Sequence, residues 1–170
     1  MDILTLIKSQ NLSQGALVAG SIRNTVWQKL HHQEFKLESD IDVAFFDKKA
    51  SQKANMVIQT NLKKIAPQYT WQVKNQVYLH NYDFKNQLPF TSVVDAIAHF
   101  VETPTCIGAF LDNKNELQLI APYGTADLAK LTVRPIPFFK TDEAHLNIYK
   151  ERIKSKHWQK KWPKLKIKFS

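Results

Sequence analysis

Two carboxylates stand two residues apart in the stretch SDIDVAFFD, Ser39–Asp47. Ile41, Val43, Phe45 and Phe46 give this stretch the apolar body of a buried strand, and Asp40 and Asp42 sit at its start. Side chains at i and i+2 of a strand point the same way, so the two acids share a face. Anions held that close repel unless a positive charge lies between them, and a divalent metal ion is the natural candidate. Mg²⁺ prefers oxygen ligands and usually shares its shell with substrate phosphates. A calcium EF-hand is excluded, because Ile41 and Val43 stand where such a loop is polar. A D-x-D pair alone reads first as a solvated strand end, so the neighbouring sequence must supply a place for phosphate.

That place is AGS, Ala19–Ser21, where an apolar run (GALVAGS) turns into a helix (IRNTVWQKLHH). A small Gly-Ser turn lets backbone N–H groups approach an anion, and a helix N-terminus carries partial positive charge. Arg23 falls in the first turn, unfavourable to the helix dipole unless an anion sits there. Phosphate at Gly20 and Ser21 and metal at Asp40 and Asp42 would then form one site.

The order AGS, helix, SDIDVAFF resembles the nucleotidyltransferase superfamily typified by DNA polymerase beta, whose motif is hydrophobic-Gly-(Gly/Ser) followed by Asp-x-(Asp/Glu) on the next strand. The likeness is closer to a bacterial family of nucleotidyltransferase-like proteins. It is carried by AGSIRNTVWQKL, SDIDVAFFD, WQVKNQVYLH, ETPTCIG, APYGTADLAKLTVRP, RIKSKHW and KWPKL, from about Ala19 to Leu165. The resemblance implies an α+β fold, a mixed β-sheet flanked by helices. It implies Gly20 and Ser21 on the phosphates of an NTP, and Asp40 and Asp42 as catalytic ligands of Mg²⁺ or Mn²⁺; Arg23, from its place in the first helical turn, is read as a further nucleotide contact. Such enzymes transfer a nucleoside monophosphate to an acceptor hydroxyl and release pyrophosphate, with two metals at the reacting groups. The sequence does not identify the acceptor.

One departure stands out. The superfamily usually carries a third carboxylate on a later strand, and here that strand reads TWQVKNQ. It offers Gln72, Lys74, Asn75 and Gln76, of which Asn75 is the neutral oxygen donor expected to face the nucleotide. Asp95, in the S-x-x-D pattern Ser92–Asp95, reads first as a helix cap. The missing acid sustains a second reading, a member that binds nucleotide or nucleic acid without turnover.

The elements that must position these residues follow from periodicity. Residues 2–12 form a short helix, and Ala54, Val57, Ile58, Leu62 and Ile65 mark the apolar face of a helix stopped by Pro67. Trp71, Val73 and Asn75 share one face of a strand, and residues 106–121 form a hairpin turning at Asp112–Asn115. VRPIPFF is extended, and a last helix runs from about Asp142 to Lys161, ended by Pro163. Trp27 and Trp71 belong to the core.

With 170 residues, 44% hydrophobic and 23% charged, the chain reads as one soluble domain, 1–170, with a basic helix and tail (about 142–170) docked on it. The net charge of +9 is concentrated there, since eight lysines and Arg152 follow position 149 against Glu151 alone. These lysines could track a nucleic-acid backbone, but a solvated face, pinned by Ile153, Trp158 and Trp162, is the favoured reading. A lone cysteine, Cys106, fits a reducing compartment and a core position. No run approaches the ~20 apolar residues of a membrane span. A cytoplasmic protein without membrane contact is expected.

Overall fold

Alternation along SDIDVAFFD sets the architecture. The computed structural model describes residues 2–37, 39–81, 84–85 and 87–169. Helix α1 (Asp2–Ser9) leads to β1 (Ala16–Val18), α2 (Gly20–Leu30), β2 (Ile41–Phe45), α3 (Lys53–Ile65) and β3 (Trp71–Asn75). There follow α4 (Val93–Ala98), β4 (Gly108–Leu111), β5 (Leu117–Ile120), α5 (Ala126–Ala129), β6 (Thr132–Val133), α6 (Glu143–Lys156), α7 (Trp158–Lys161) and β7 (Lys166–Ile167).

Five strands form a mixed sheet in the order β3-β2-β1-β4-β5. Strands β2 and β3 are parallel, which requires a crossover, and α3 supplies it. The other neighbours are antiparallel. Odd-numbered residues of β2 and β3 (Ile41, Val43, Phe45, Trp71, Val73) bury one face against Ile7 of α1 and Leu62 of α3. Ala16, Val18 and Ala44 on the other face meet Trp27 of α2, Val93 and Ile97 of α4, and the C-terminal elements. The result is an α+β fold with helices on both faces of the sheet.

The C-terminal segment is tied down at several points. Strand β7 pairs in parallel with β6, and the buried Tyr149 donates its hydroxyl to Lys168 O (2.6 Å) and lies 3.2 Å from Val133 O. Trp158 and Trp162 both pack edge-on against Trp27, with ring centroids 5.4 and 5.1 Å apart. No helix among the described residues is long and apolar enough to cross a membrane.

Three local expectations are corrected. The last helix is broken at His157, whose left-handed backbone (φ 48°) separates α6 from α7. Within VRPIPFF, Pro137 opens a 3₁₀ turn, Pro137–Lys140, where its missing N–H leaves no helical bond unmade. On α3, Val57 and Ile65 are 59% and 57% exposed, so only a narrow stripe around Leu62 seats on the sheet.

Candidate active site

Asp40 and Asp42 line one cleft of about 720 Å³. Asp40 is exposed just before β2, and Asp42 is half-buried within it. Burial lifts the Asp42 carboxyl above its ordinary pKa and Asp40 adds to the lift, while Lys74, Arg23 and Lys156 pull it down. The register sets Asp42 beside Gln72 of β3, so the alternation that buries Trp71 and Val73 turns Gln72 and Lys74 into the cleft.

The Ala19–Ser21 turn abuts the same carboxylate. The unusual backbone belongs to Ala19 (φ 56°, ψ −115°), which joins β1 to α2 and donates its N–H to Ile107 O (2.9 Å). A non-glycine residue held there stores strain. A β-carbon on Gly20 would sit in ordinary contact, 3.9 Å from Asp42 Oδ2, 3.8 Å from Ser39 Cβ and 3.8 Å from Arg23 Nη2, so this backbone lies directly beside the carboxylate. Ser39 Oγ is buried and has no hydrogen-bond partner among the described residues. Ser21 is buried, with its hydroxyl 3.5 Å from Val18 O. Any contact it makes with phosphate therefore falls to its backbone N–H, one of the helix-start donors without an intrahelical partner.

Two expected nucleotide contacts are placed elsewhere. Asn75 is fully buried and lies on the opposite face of β3 from Lys74. Its Nδ2 donates to Asp47 O (2.7 Å), and its Oδ1 accepts from the N–H groups of Asp47 (3.2 Å) and Val77 (3.3 Å). It clamps the chain after β2 and does not line the cleft. Arg23 is 5% exposed and is not among the residues that line the cleft, although its Nη2 lies 3.8 Å from the β-carbon position of Gly20. Its guanidinium stands 4.3 Å from the Trp158 ring centroid and 5.0 Å from that of Trp27. It donates to Thr105 Oγ1 (2.6 Å) and to Asn24 Oδ1. Burial brings its pKa down to about 10, so it stays charged at neutral pH.

No third carboxylate among the described residues joins the pair. Among the described residues no group of three His, Cys, Asp or Glu side chains could hold a metal ion. Asp95 caps α4, accepting from Thr91 N (2.8 Å) and Thr91 Oγ1 (3.0 Å) while Ser92 Oγ accepts from its N–H.

Sequence reasoning missed the contribution of α6. Ile148, Arg152 and Lys156, spaced four apart, present one stripe to the cleft, with Ser155 beside them. That spacing was visible in the sequence, but nothing in it said which stripe of the helix would face the aspartates. Arg152 Nε donates to Glu102, which is wholly buried. Phe90, Phe100, Val101 and His99 form an apolar and aromatic margin.

The donor set fits one hard divalent cation. Two carboxylates on the cleft supply oxygen ligands, and the remaining shell falls to water or phosphate. Among the described residues it does not supply carboxylates for two fully protein-bound ions.

Comparison with known proteins bears on the family and the fold. A family model described as nucleotidyltransferase matches residues 5–167. A protein whose NMR structure is described as revealing a CCA-adding enzyme head domain is 37% identical, with a TM-score of 0.89 over 99% of this chain and 88% of that one. The structure of a CCA-adding enzyme in apo form I (10% identity, TM-score 0.59) and that of a tRNA-processing enzyme complex (13%, 0.56) share the fold. Each is matched by 98% of this chain, which spans only 39% and 43% of their lengths. No curated protein matches.

Proposed function

The chain belongs to the nucleotidyltransferase family matched over residues 5–167, and from that premise we propose that it transfers a nucleoside monophosphate from an NTP to an acceptor hydroxyl at the Asp40–Asp42 cleft. One observation carries the reading: the position a β-carbon would take on Gly20, at the start of α2, lies 3.9 Å from a carboxylate oxygen of the D-x-D pair. A phosphate on the first N–H groups of α2 and a cation on Asp42 would be immediate neighbours.

In the reaction the acceptor oxygen forms a bond to the α-phosphorus. The bond from that phosphorus to the bridging oxygen of the β-phosphate breaks, pyrophosphate leaves with the electron pair, and the hydroxyl proton passes to water. Asp40 and Asp42 would hold Mg²⁺ or Mn²⁺, which when bound neutralises phosphate charge and orients the reacting oxygens. The chain's own residues bind and orient. The start of α2 takes phosphate, Lys74 and Lys156 balance the negative charge of the cleft, and the margin of Phe90 and Phe100 excludes water from one side.

A second reading, nucleotide binding without turnover, is favoured by one observation: Gln72 and Lys74 face the cleft on the strand where the superfamily carries its third acid. The two separate in one assay. The protein is incubated with labelled NTPs, Mg²⁺ or Mn²⁺ and a range of hydroxyl acceptors, and pyrophosphate is measured. Release that vanishes in Asp42→Asn establishes transfer; NTP binding without release in any combination establishes the second reading. We assign the protein to the cytoplasm, since Cys106 is buried and unpaired, and read residues 1–170 as one unit.

A further inference from the structure

We propose that Arg152 is the clamp for the terminal phosphates of the nucleotide, the part that leaves as pyrophosphate, and that Glu102 is the positioning residue that aims it. The inference rests on the nucleotide reading above and names residues that reading does not use.

Glu102 is an unusual place for an acid. It is 0% exposed. Its backbone is fixed by a bridge to Pro135 and by its carbonyl, which accepts from the N–H groups of Thr105 (2.9 Å) and Cys106 (3.2 Å). A buried carboxylate is costly unless it is paired and hydrogen-bonded. Here Oε1 accepts from Arg152 Nε, and Oε2 has no hydrogen-bond partner among the described residues. Arginine–carboxylate pairs frequently form a fork, two N–H groups on two oxygens. Arg152 gives one N–H inward. Its two Nη groups make no hydrogen bond among the described residues, and the side chain, 32% exposed, lines the cleft with Asp42 and Lys156. The guanidinium is therefore held through Nε, and its two Nη groups, on a side chain that lines the cleft, suit two phosphate oxygens.

Charge points to the same ligand. Arg152 and Lys156 line the cleft beside Asp40 and Asp42, and a divalent ion held by those carboxylates would add the positive charge that suits a polyanion. In the transfer, negative charge grows on the oxygen that bridges the α- and β-phosphorus atoms as its bond to the α-phosphorus breaks. A guanidinium already fixed by Glu102 stabilises that charge without reorganising.

The test uses the full chain and inorganic tripolyphosphate without divalent metal, so that the aspartates are not needed. Binding is followed by calorimetry and by the NMR resonance of Arg152 Nε–H. Wild type binds, Arg152→Ala weakens binding about tenfold or more, the loss of a charge-assisted contact, and Arg152→Lys falls between because it keeps the charge and loses the fork. Glu102→Gln weakens binding and shifts the Nε–H resonance while leaving Arg152 in place. Asp42→Asn binds at least as tightly as wild type. Folding of each variant is checked by thermal unfolding, and if Arg152→Ala does not fold, Arg152→Lys decides. Tripolyphosphate binding absent in wild type, or unchanged in a folded Arg152 variant, overturns the proposal. The outcome for the parent reading is separate. Loss of tripolyphosphate affinity in the Arg152 variants, with no pyrophosphate release from any NTP, upholds the clamp and removes transfer. Active transfer whose KM for NTP ignores Arg152→Lys removes the clamp and keeps transfer.

Discussion

Gly20 begins a helix, a position where alanine would ordinarily serve better. The β-carbon that alanine would add meets only ordinary contacts, at 3.8–3.9 Å from Arg23 Nη2, Ser39 Cβ and Asp42 Oδ2. Gly20→Ala should therefore leave stability unchanged or raise it by about 0.4–1 kcal/mol through the unfolded chain, while its methyl crowds the space beside Asp42. Thermal unfolding with an NTP titration checks this: retained stability with weakened binding is expected, and unimpaired binding would remove the phosphate role of the turn. Cys106 supplies a pH test. Burial, then Glu102, push its thiol well above the ordinary range. Burial and Glu102 likewise raise the Tyr149 hydroxyl. Groups with raised folded-state pKa values stabilise fully below their unfolded values and lose that contribution as pH rises. Stability should thus fall above about pH 8.5, the unfolded thiol value. Cys106→Ala should flatten the fall in unfolding curves between pH 8.5 and 9.5, below the range where Arg23, at about 10, begins to act oppositely. Whether a residue faced the cleft was legible for Gln72 and Lys74, because period-two alternation sets them against Trp71 and Val73. The same rule put Asn75 on the buried side, so the residue type had suggested a ligand where the spacing did not. The burial of Arg23 was not legible, since its second ring, Trp158, comes from the far end of the chain.

At the scale of elements, the D-x-D strand, the AGS turn and the crossover helix follow from local pattern, and they stand where the sequence put them. The C-terminal helix does not, because apolar periodicity runs on through Ile153, Trp158 and Trp162 while the backbone turns left-handed at His157. Tertiary packing decides there: the break lets both Trp158 and Trp162 meet Trp27. A left-handed residue with a side chain costs about 1–2 kcal/mol relative to a right-handed one, and glycine escapes most of it. His157→Gly should raise the melting temperature without altering NTP affinity; a lowered melting temperature would mean that the imidazole makes a contact the fold needs. Ser92→Ala removes the acceptor of the Asp95 N–H (3.0 Å) at the start of α4 and should cost about 1 kcal/mol in chemical denaturation.

Across the whole molecule, the positive charge of the tail divides into two populations that the sequence could not separate. Arg152 and Lys156 turn toward the aspartates, whereas Lys160, Lys164, Lys166 and Lys168 are exposed and lie outside the cleft. Replacing Lys160, Lys161, Lys164 and Lys166 with Gln should leave NTP affinity intact. Filter binding to single-stranded RNA at physiological salt should be equally weak before and after the change. Tight binding by wild type that weakens steeply with salt and is lost in the variant would instead make nucleic acid the first acceptor to try.

The stacking of Trp158 over Arg23 also orders events in time. The strand–helix–strand unit β2-α3-β3, which carries the aspartates, closes through pairs 30 residues apart, from Ile41↔Trp71 to Phe45↔Asn75. The wall that carries Arg152 is seated by Trp158, Trp162 and the β6–β7 pairing, and Trp27 and Arg23 can meet these residues only after a loop of most of the chain has closed. Closing so long a loop loses entropy that local contacts do not offset, and sequence-distant contacts slow folding. The refolding chain should therefore assemble its paired carboxylates early, and acquire affinity for polyanions only in its last kinetic phase.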